Sequence, residues 1–213
     1  MFMGLILLAG IAGCGDTSEK QDIDRPDASL VVAVPDNQPG LMILVSYLST
    51  PYGYGNLHSR LKLVNDADFN ANAGSYQFLG RAFAAAAGGF SAPAYEYFQP
   101  IGYCPTVGFH YRWYSAFPTA GQCPSWVPNG SSIFYSAGFE DVGRGVVTLY
   151  QYASAGGSSG SGNVAFTINP AVIEGLRASG IPVEVKPIGY IYHGIQADCD
   201  ANRSPYCGQY PWY

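Results

Sequence analysis

The sequence predicts a mainly β protein, folded as an antiparallel β-sandwich with one or two short helical insertions. Short runs of β-branched and aromatic residues recur along the chain, and residues typical of turns separate them. Of the 213 residues, 27 are Gly and 15 are Pro, which suits a fold with many turns. A hydrophobic content of 48% excludes disorder as the main state.

Two runs alternate between apolar and polar residues, which is the pattern of a strand buried on one face. Leu57–Leu63 places three leucines on one face, and Val107–Tyr114 repeats the pattern with larger side chains. Other short apolar runs predict further strands at Leu30–Val34, Leu41–Leu48, Ile133–Tyr135, Val146–Tyr152, Val164–Ile168, Pro182–Val185 and Ile188–Tyr192.

Two segments carry helical signals. Asn169 is a suitable N-cap, Pro170 fits the first helical position and Gly180 ends the segment, so Ala171–Ala178 is predicted to be a helix. The segment Tyr76–Ala87 is open between two interpretations. Its alanine-rich second half favours a helix, whereas the alternation at its start favours a strand.

The first fifteen residues, MFMGLILLAGIAGCG, are an apolar run that ends in small residues and a cysteine. Within them, Ile11-Ala12-Gly13-Cys14 resembles the lipobox of bacterial lipoprotein signal peptides. The resemblance implies cleavage before Cys14, a diacylglyceryl group on its sulfur and palmitate-type acylation of the new amino terminus. No basic residue precedes Lys20, unlike most signal peptides, and a retained hydrophobic helix is the alternative.

The resemblance divides the chain into a signal peptide at 1–13, a lipidated cysteine with a polar tether at 14–29, and a single β-rich domain at 30–213. It implies a protein of the cell envelope, periplasmic or at the cell surface, with the membrane as a partner through its lipid anchor. Residues 15–29 contain five acidic and two basic residues, a net charge of −3 out of −5 for the chain. A chain so poor in basic residues excludes nucleic acid as a partner.

Four cysteines remain after Cys14, and an even number in an exported chain predicts disulfides. Short loops close most readily, which favours the pairs Cys104–Cys123 and Cys199–Cys207 over the two other connectivities. A zinc site is the rival interpretation, although no histidine stands at the spacing of a zinc finger.

Two stretches alternate oxygen-bearing side chains in the manner of the start of a calcium loop. They are Asp66, Asp68 and Asn70, and Asp198, Asp200 and Asn202. Such residues at the first, third and fifth positions predict a possible Ca²⁺ site in one or both loops. The alternative is that Asp and Asn occur there as ordinary turn residues.

Motifs for catalysis are weak. Gly156–Gly160 matches the G-x-S-x-G pattern, but a strand is predicted after it where a nucleophile elbow needs a helix. His58, His110 and His193 lie on separate predicted strands without a paired metal-binding motif. The adjacent Glu140-Asp141 would point to opposite faces of a strand. No catalytic residue is therefore predicted.

Aromatic residues are abundant, with 17 Tyr, 11 Phe and 3 Trp, and suit contact with a ligand. We expect Trp113, Trp126, Tyr210 and Trp212 to contribute to a contact surface. The favoured function is a non-enzymatic binding or assembly module of the envelope, whose partner is a glycan or an envelope protein. The alternative is a structural subunit that binds itself in a surface layer or filament, and an exported hydrolase ranks third.

The lipobox resemblance makes a direct prediction. Replacing Cys14→Ser should abolish incorporation of labelled fatty acid and release the protein from membranes, because the acylated sulfur is lost. Cys104→Ser should keep the label. An unmutated protein that takes up no label and keeps its first residue would contradict the lipoprotein interpretation.

Overall fold

A computed structural model describes residues 38–49, 58–98, 112–116, 127–128, 130–139, 142, 145–154 and 164–208. In these residues the chain forms ten strands and three short helices. The strands are β1 (Leu41–Ser49), β2 (His58–Val64), β3 (Tyr76–Phe83), β4 (Ala92–Phe98), β5 (Arg112–Ser115), β6 (Val127–Pro128), β7 (Phe134–Ser136), β8 (Val146–Ser154), β9 (Val164–Thr167) and β10 (Val183–Tyr192). The helices are α1 (Asp66–Ala71), α2 (Pro170–Ala178) and α3 (Gln196–Asp200).

The strands form one hydrogen-bonded network with the order β5-β4-β7-β3-β10-β8-β9. β1 pairs with β3 and carries β2 on its other edge, while β6 pairs with β4. Each of these pairings is antiparallel, so the prediction of a mainly antiparallel β protein is confirmed. β3 links the β1–β2 part of the network to β10 and to β7.

The largest hydrophobic core lies between β1–β3 and β8–β10. It includes Leu44, Leu61, Leu79, Leu149, Phe166, Ile188 and Ile191, all at most 4% exposed. The two layers expected of a sandwich therefore enclose this core, although they belong to one continuous sheet.

β1 is buried on both faces. Leu44 points into the main core, while Ile43 and Val45 pack in a second cluster with Phe69 of α1. Burial of both faces explains why β1 reads as a continuous apolar run rather than an alternating one. The helix α1 thus covers the face of β1 that the main core leaves open.

The predicted helix after β9 is confirmed as α2. Asn169 caps it, since its side chain accepts a hydrogen bond of 3.0 Å from the backbone N of Ala171. Pro170 occupies the start of the helix, and Gly180 follows its end with a φ of +76°. Local sequence signals therefore determined this element.

Two other predictions need correction. The helical alternative for Tyr76–Ala87 is wrong, because Tyr76–Phe83 is the strand β3, which pairs along its length with β1. The two strands predicted at Pro182–Val185 and Ile188–Tyr192 are a single strand, β10, with an irregularity between Pro187 and Gly189. Pairing with a neighbouring strand outweighed the local propensity in both cases.

Several predicted features lie outside the described residues. They include the strand at Leu30–Val34, residues 107–111 of the strand predicted at Val107–Tyr114, the pattern at Gly156–Gly160, and the residues Cys14, Cys104, His110, Cys123, Trp126, Glu140, Asp141, Tyr210 and Trp212. Within the described residues, no helix has the length and apolar character needed to cross a membrane.

Gly80 of β3 provides a test of the close approach between β3 and β10. Its φ is +144°, and a Cβ atom there would collide with the backbone oxygen of Tyr192. We expect Gly80→Ala to lower the free energy of unfolding by about 2–4 kcal/mol, because strain and overpacking add. Urea denaturation measures the change.

The matched control is Gly175→Ala in α2, where a new Cβ meets nothing within 4 Å. It should raise the free energy of unfolding by roughly 0.5–1 kcal/mol, because Ala favours a helix. If Gly80→Ala and Gly175→Ala changed the free energy of unfolding equally, the close packing described at Gly80 would be contradicted.

Candidate functional site

Arg81 of β3 is the most deeply buried cation of the described residues, with 3% exposure. Its Nε and Nη2 donate to Oδ2 and Oδ1 of Asp198 at 2.6 and 3.1 Å. Its Nη2 and Nη1 donate to Oδ1 and Oδ2 of Asp66 at 2.6 and 3.1 Å. One guanidinium therefore joins β3 to the first turn of α1 and to α3, in the paired geometry that arginine forms with carboxylates.

Asp198 is fully buried, and each of its oxygens has two donors. Oδ2 also accepts from the backbone N of Ile195 at 2.9 Å, which caps α3. Oδ1 also accepts from Nη1 of Arg203 at 3.2 Å. We call Arg81, Asp66, Asp198 and Arg203 the Arg81 cluster.

The contacts within the Arg81 cluster favour the charged forms of Arg81 and Asp66. Burial alone would lower the pKa of Arg81, but the hydrogen bonds to Asp198 and Asp66 outweigh it and raise the pKa above its usual value. The hydrogen bonds from Arg81 hold the pKa of Asp66 below its usual range, against the opposing effect of burial. These groups are therefore held as ions at neutral pH.

The predicted disulfide Cys199–Cys207 is confirmed, with a Cα–Cα distance of 5.3 Å. Arg203 lies within the loop that this disulfide closes. Its Nη2 donates to Oδ1 of Asn70 at 2.9 Å, and its Cζ lies 4.8 Å from the centre of the Phe69 ring. The disulfide loop is thereby fastened to α1 as well as to Asp198.

His193 and Ser204 form a buried pair beside the cluster. Nδ1 of His193 and Oγ of Ser204 are 2.9 Å apart, and the two residues are 0% and 5% exposed. Burial lowers the pKa of His193 to about 4, against a smaller opposing effect of Asp198, so its imidazole is neutral at pH 7. In this arrangement Ser204 is closed to a substrate, unlike the hydroxyl of a serine nucleophile.

The two stretches predicted as calcium loops are mainly helical. Asp66, Asp68 and Asn70 lie in α1, while Asp198 and Asp200 lie in α3 and Asn202 follows it with a φ of +53°. The loop geometry was therefore wrong, because alternate residues of a helix do not point to one side.

Four of these six residues have side-chain oxygens bound by an arginine or an asparagine. Arg81 binds Asp66 and Asp198, Arg203 binds Asn70, and Asn72 donates to Oδ1 of Asp68 at 2.7 Å. Among the residues that the structure describes, no group of three or more His, Cys, Asp or Glu is placed to hold a metal ion. Calcium binding itself stays a prediction.

An open cleft of about 690 Å³ lies at the Arg81 cluster. Its lining consists of Gln38, Pro39, Leu41, Asp66, Arg81, Ile195, Gln196, Ala197 and Asp200. Asp200 is exposed, and its Oδ1 accepts from Nε2 of Gln196 at 2.7 Å. We refer to this space as the cleft. Its volume lies within the range of small-molecule sites.

A row of aromatic rings lies on the outer face of β8 and β10. Tyr150 and Tyr190 alternate with the core residues Leu149 and Ile191, so the tyrosines point to the opposite face. Phe139 is 72% exposed, and its ring centre lies 5.7 Å from that of Tyr190.

Tyr152 continues the row along β8. Burial raises the pKa of Tyr152, and burial together with Tyr150 raises the pKa of Tyr190. We call Phe139, Tyr190, Tyr150 and Tyr152 the tyrosine strip. The sequence pointed instead to tryptophans, of which Trp113 lies in β5 opposite Tyr97.

The sequence also missed Arg81 as a site residue. The available signal was a single arginine inside the apolar run Phe78–Phe83, where an unpaired charge would be costly. The signal for Phe139 was weaker, because one phenylalanine in a glycine-containing loop does not reveal its exposure.

Comparison with known proteins gives no match to a family model, to a curated protein sequence or to a solved structure. The function is therefore argued from the geometry of the described residues.

The burial of Arg81 and Asp198 leads to a prediction about the stability of the fold. Arg81→Met should lower the free energy of unfolding by about 3–5 kcal/mol, because it leaves the buried carboxylate of Asp198 without its main partner. Arg177→Met, the same change at an exposed position of α2, should alter it by less than about 0.5 kcal/mol. Chemical denaturation measures both.

A double variant isolates the ion pair. Arg81→Met combined with Asp198→Leu should lose less stability than the sum of the two single losses, because no carboxylate is then buried unpaired. Strict additivity of the two losses would contradict the interaction described here.

Proposed function

We propose that the chain is a non-enzymatic binding module of the cell envelope, anchored through Cys14, that contacts a glycan through the tyrosine strip. The observation that carries this proposal is Phe139, a large aromatic side chain with 72% exposure whose ring meets the ring of Tyr190 edge to face. An exposed ring supported by a second ring offers a firm contact surface at little cost in side-chain entropy.

The size of the tyrosine strip favours a glycan over a protein. An aromatic side chain can bury about 150–250 Å². Phe139 with the three partly buried tyrosines therefore offers a few hundred Å², below the roughly 800 Å² per partner of a stable protein interface. One or two sugar rings need far less area. Tyrosine hydroxyls can also exchange hydrogen bonds with sugar hydroxyls.

The buried groups near the Arg81 cluster give little support to hydrolysis. Asp198 is occupied by two arginines and a backbone N–H, and His193 and Ser204 are enclosed. These side chains stabilise the fold in the arrangement described. Phe139 of the tyrosine strip, in contrast, is exposed and can contact a ligand.

Self-association is the second candidate, and β9 is the observation that favours it. Within the described residues this strand pairs only with β8, and its sequence VAFT carries no charge. An uncharged edge strand is a template for pairing with another chain. Sizing at increasing protein concentration separates the two candidates, because a chain that remains a monomer excludes a self-assembling subunit.

The glycan proposal is tested by titrating the purified protein with soluble cell-wall glycan fragments and neutral polysaccharides. Phe139→Ala should weaken binding by about two- to twelvefold, because one aromatic contact contributes about 0.5–1.5 kcal/mol. The fold should be retained, since Phe139 is largely exposed.

Leu48→Ala is the matched control, because Leu48 is an exposed apolar residue of β1, with 62% exposure. It should leave glycan binding unchanged. A glycan site at the tyrosine strip would be contradicted if none of the glycan fragments or polysaccharides bound. It would also be contradicted if Leu48→Ala weakened glycan binding as much as Phe139→Ala.

A further inference from the structure

Two exposed carboxylates line the cleft from different elements of the fold. Asp66 lies in the first turn of α1 and is 57% exposed even though it accepts two hydrogen bonds from Arg81. Asp200 is the last residue of α3 and is also exposed. Each can therefore accept further hydrogen bonds from a group that enters the cleft.

The charges in the lining do not balance. Arg81 is the one cation among the lining residues, against the carboxylates of Asp66 and Asp200. Its guanidinium is already shared between Asp66 and the fully buried Asp198. The cleft therefore has an excess of negative charge, and a cationic ligand complements it.

The other residues that line the cleft indicate what kind of cation fits it. Pro39, Leu41, Ile195 and Ala197 provide apolar surface, while Gln38 and Gln196 provide amides. A bare metal ion would gain nothing from the apolar residues, since hard cations select oxygen ligands. An ammonium or guanidinium group on an aliphatic stem uses both parts, with the charge at the carboxylates and the stem on the apolar wall.

We propose that the cleft binds a basic side chain of a peptide, of the lysine or arginine class, through Asp66 and Asp200. A volume of about 690 Å³ accommodates such a side chain with its neighbouring peptide groups. This inference is independent of the glycan proposal, because the cleft and the tyrosine strip share no residue.

The test titrates the folded protein with two blocked tripeptides that differ in charge, acetyl-Ala-Lys-Ala-amide and acetyl-Ala-Gln-Ala-amide. Chemical shifts of backbone amides report where each peptide binds. The lysine peptide should shift amides around Gln196 and Asp66, and the glutamine peptide should bind about two- to fivefold more weakly, the effect of a surface ion pair. Equal binding of the two peptides, or shifts elsewhere on the protein, would overturn the proposal.

Substitutions test the role of the carboxylate. Asp200→Asn should weaken binding of the lysine peptide by about fivefold. Glu174→Gln, which removes the same charge from an exposed position of α2 outside the cleft, should leave it unchanged. Equal weakening by both would show that only the net charge of the protein matters, and would overturn the site.

A gain-of-affinity variant guards against loss of folding in Asp200→Asn. Ala197 is exposed on α3 and lines the cleft, so Ala197→Asp adds a carboxylate there and should tighten binding of the lysine peptide. Calcium chloride alone should cause none of the amide shifts produced by the peptide. If calcium reproduces them, or if Ala197→Asp fails to tighten binding, a basic side chain is not the ligand of the cleft.

Discussion

The buried ion pair between Arg81 and Asp198 is the interaction on which the arrangement of the C-terminal region depends. A guanidinium with 3% exposure is tolerated in the fold only because two carboxylates surround it. The hydrogen bonds between Arg81 and Asp198 hold α3 against β3. Arg203, in the disulfide loop, binds both Asp198 and Asn70, and so holds that loop against α1. The cleft exists because α1, α3 and the start of β1 are held around this one cation.

Polar and aromatic groups have separate tasks in this fold. Ionic and hydrogen-bonding groups of the Arg81 cluster hold short helices to the sheet, while the carboxylates of Asp66 and Asp200 are exposed at the cleft. The outer face of β8 and β10 presents aromatic rings without charge. A chain in which 12% of the residues are charged has concentrated several of them at one place.

Local signals in the sequence predicted most of the strands, the helix α2 and the short-loop disulfide Cys199–Cys207. These features depend on residues close together in the chain, such as the cap at Asn169. The functions of Asp66 and Asp198 could not be predicted, because both depend on Arg81, which is 15 and 117 residues away, respectively. A spacing that resembles a calcium loop looks the same whether a metal ion or a distant arginine neutralises it. The strand β3 was equally ambiguous, since its identity depends on pairing with β1.

The separation of 117 residues between Arg81 and Asp198 affects how the chain folds during its synthesis. Synthesis proceeds from the amino terminus, so β1, β2 and β3 emerge long before α3 does. During that interval the carboxylate that Arg81 can pair with is the more exposed one of Asp66. The core then contains the side chains of β1–β3 and still lacks those of β8–β10. Stable structure therefore forms late, once nearly the whole polypeptide is present. Such a chain therefore remains pliable for most of its synthesis.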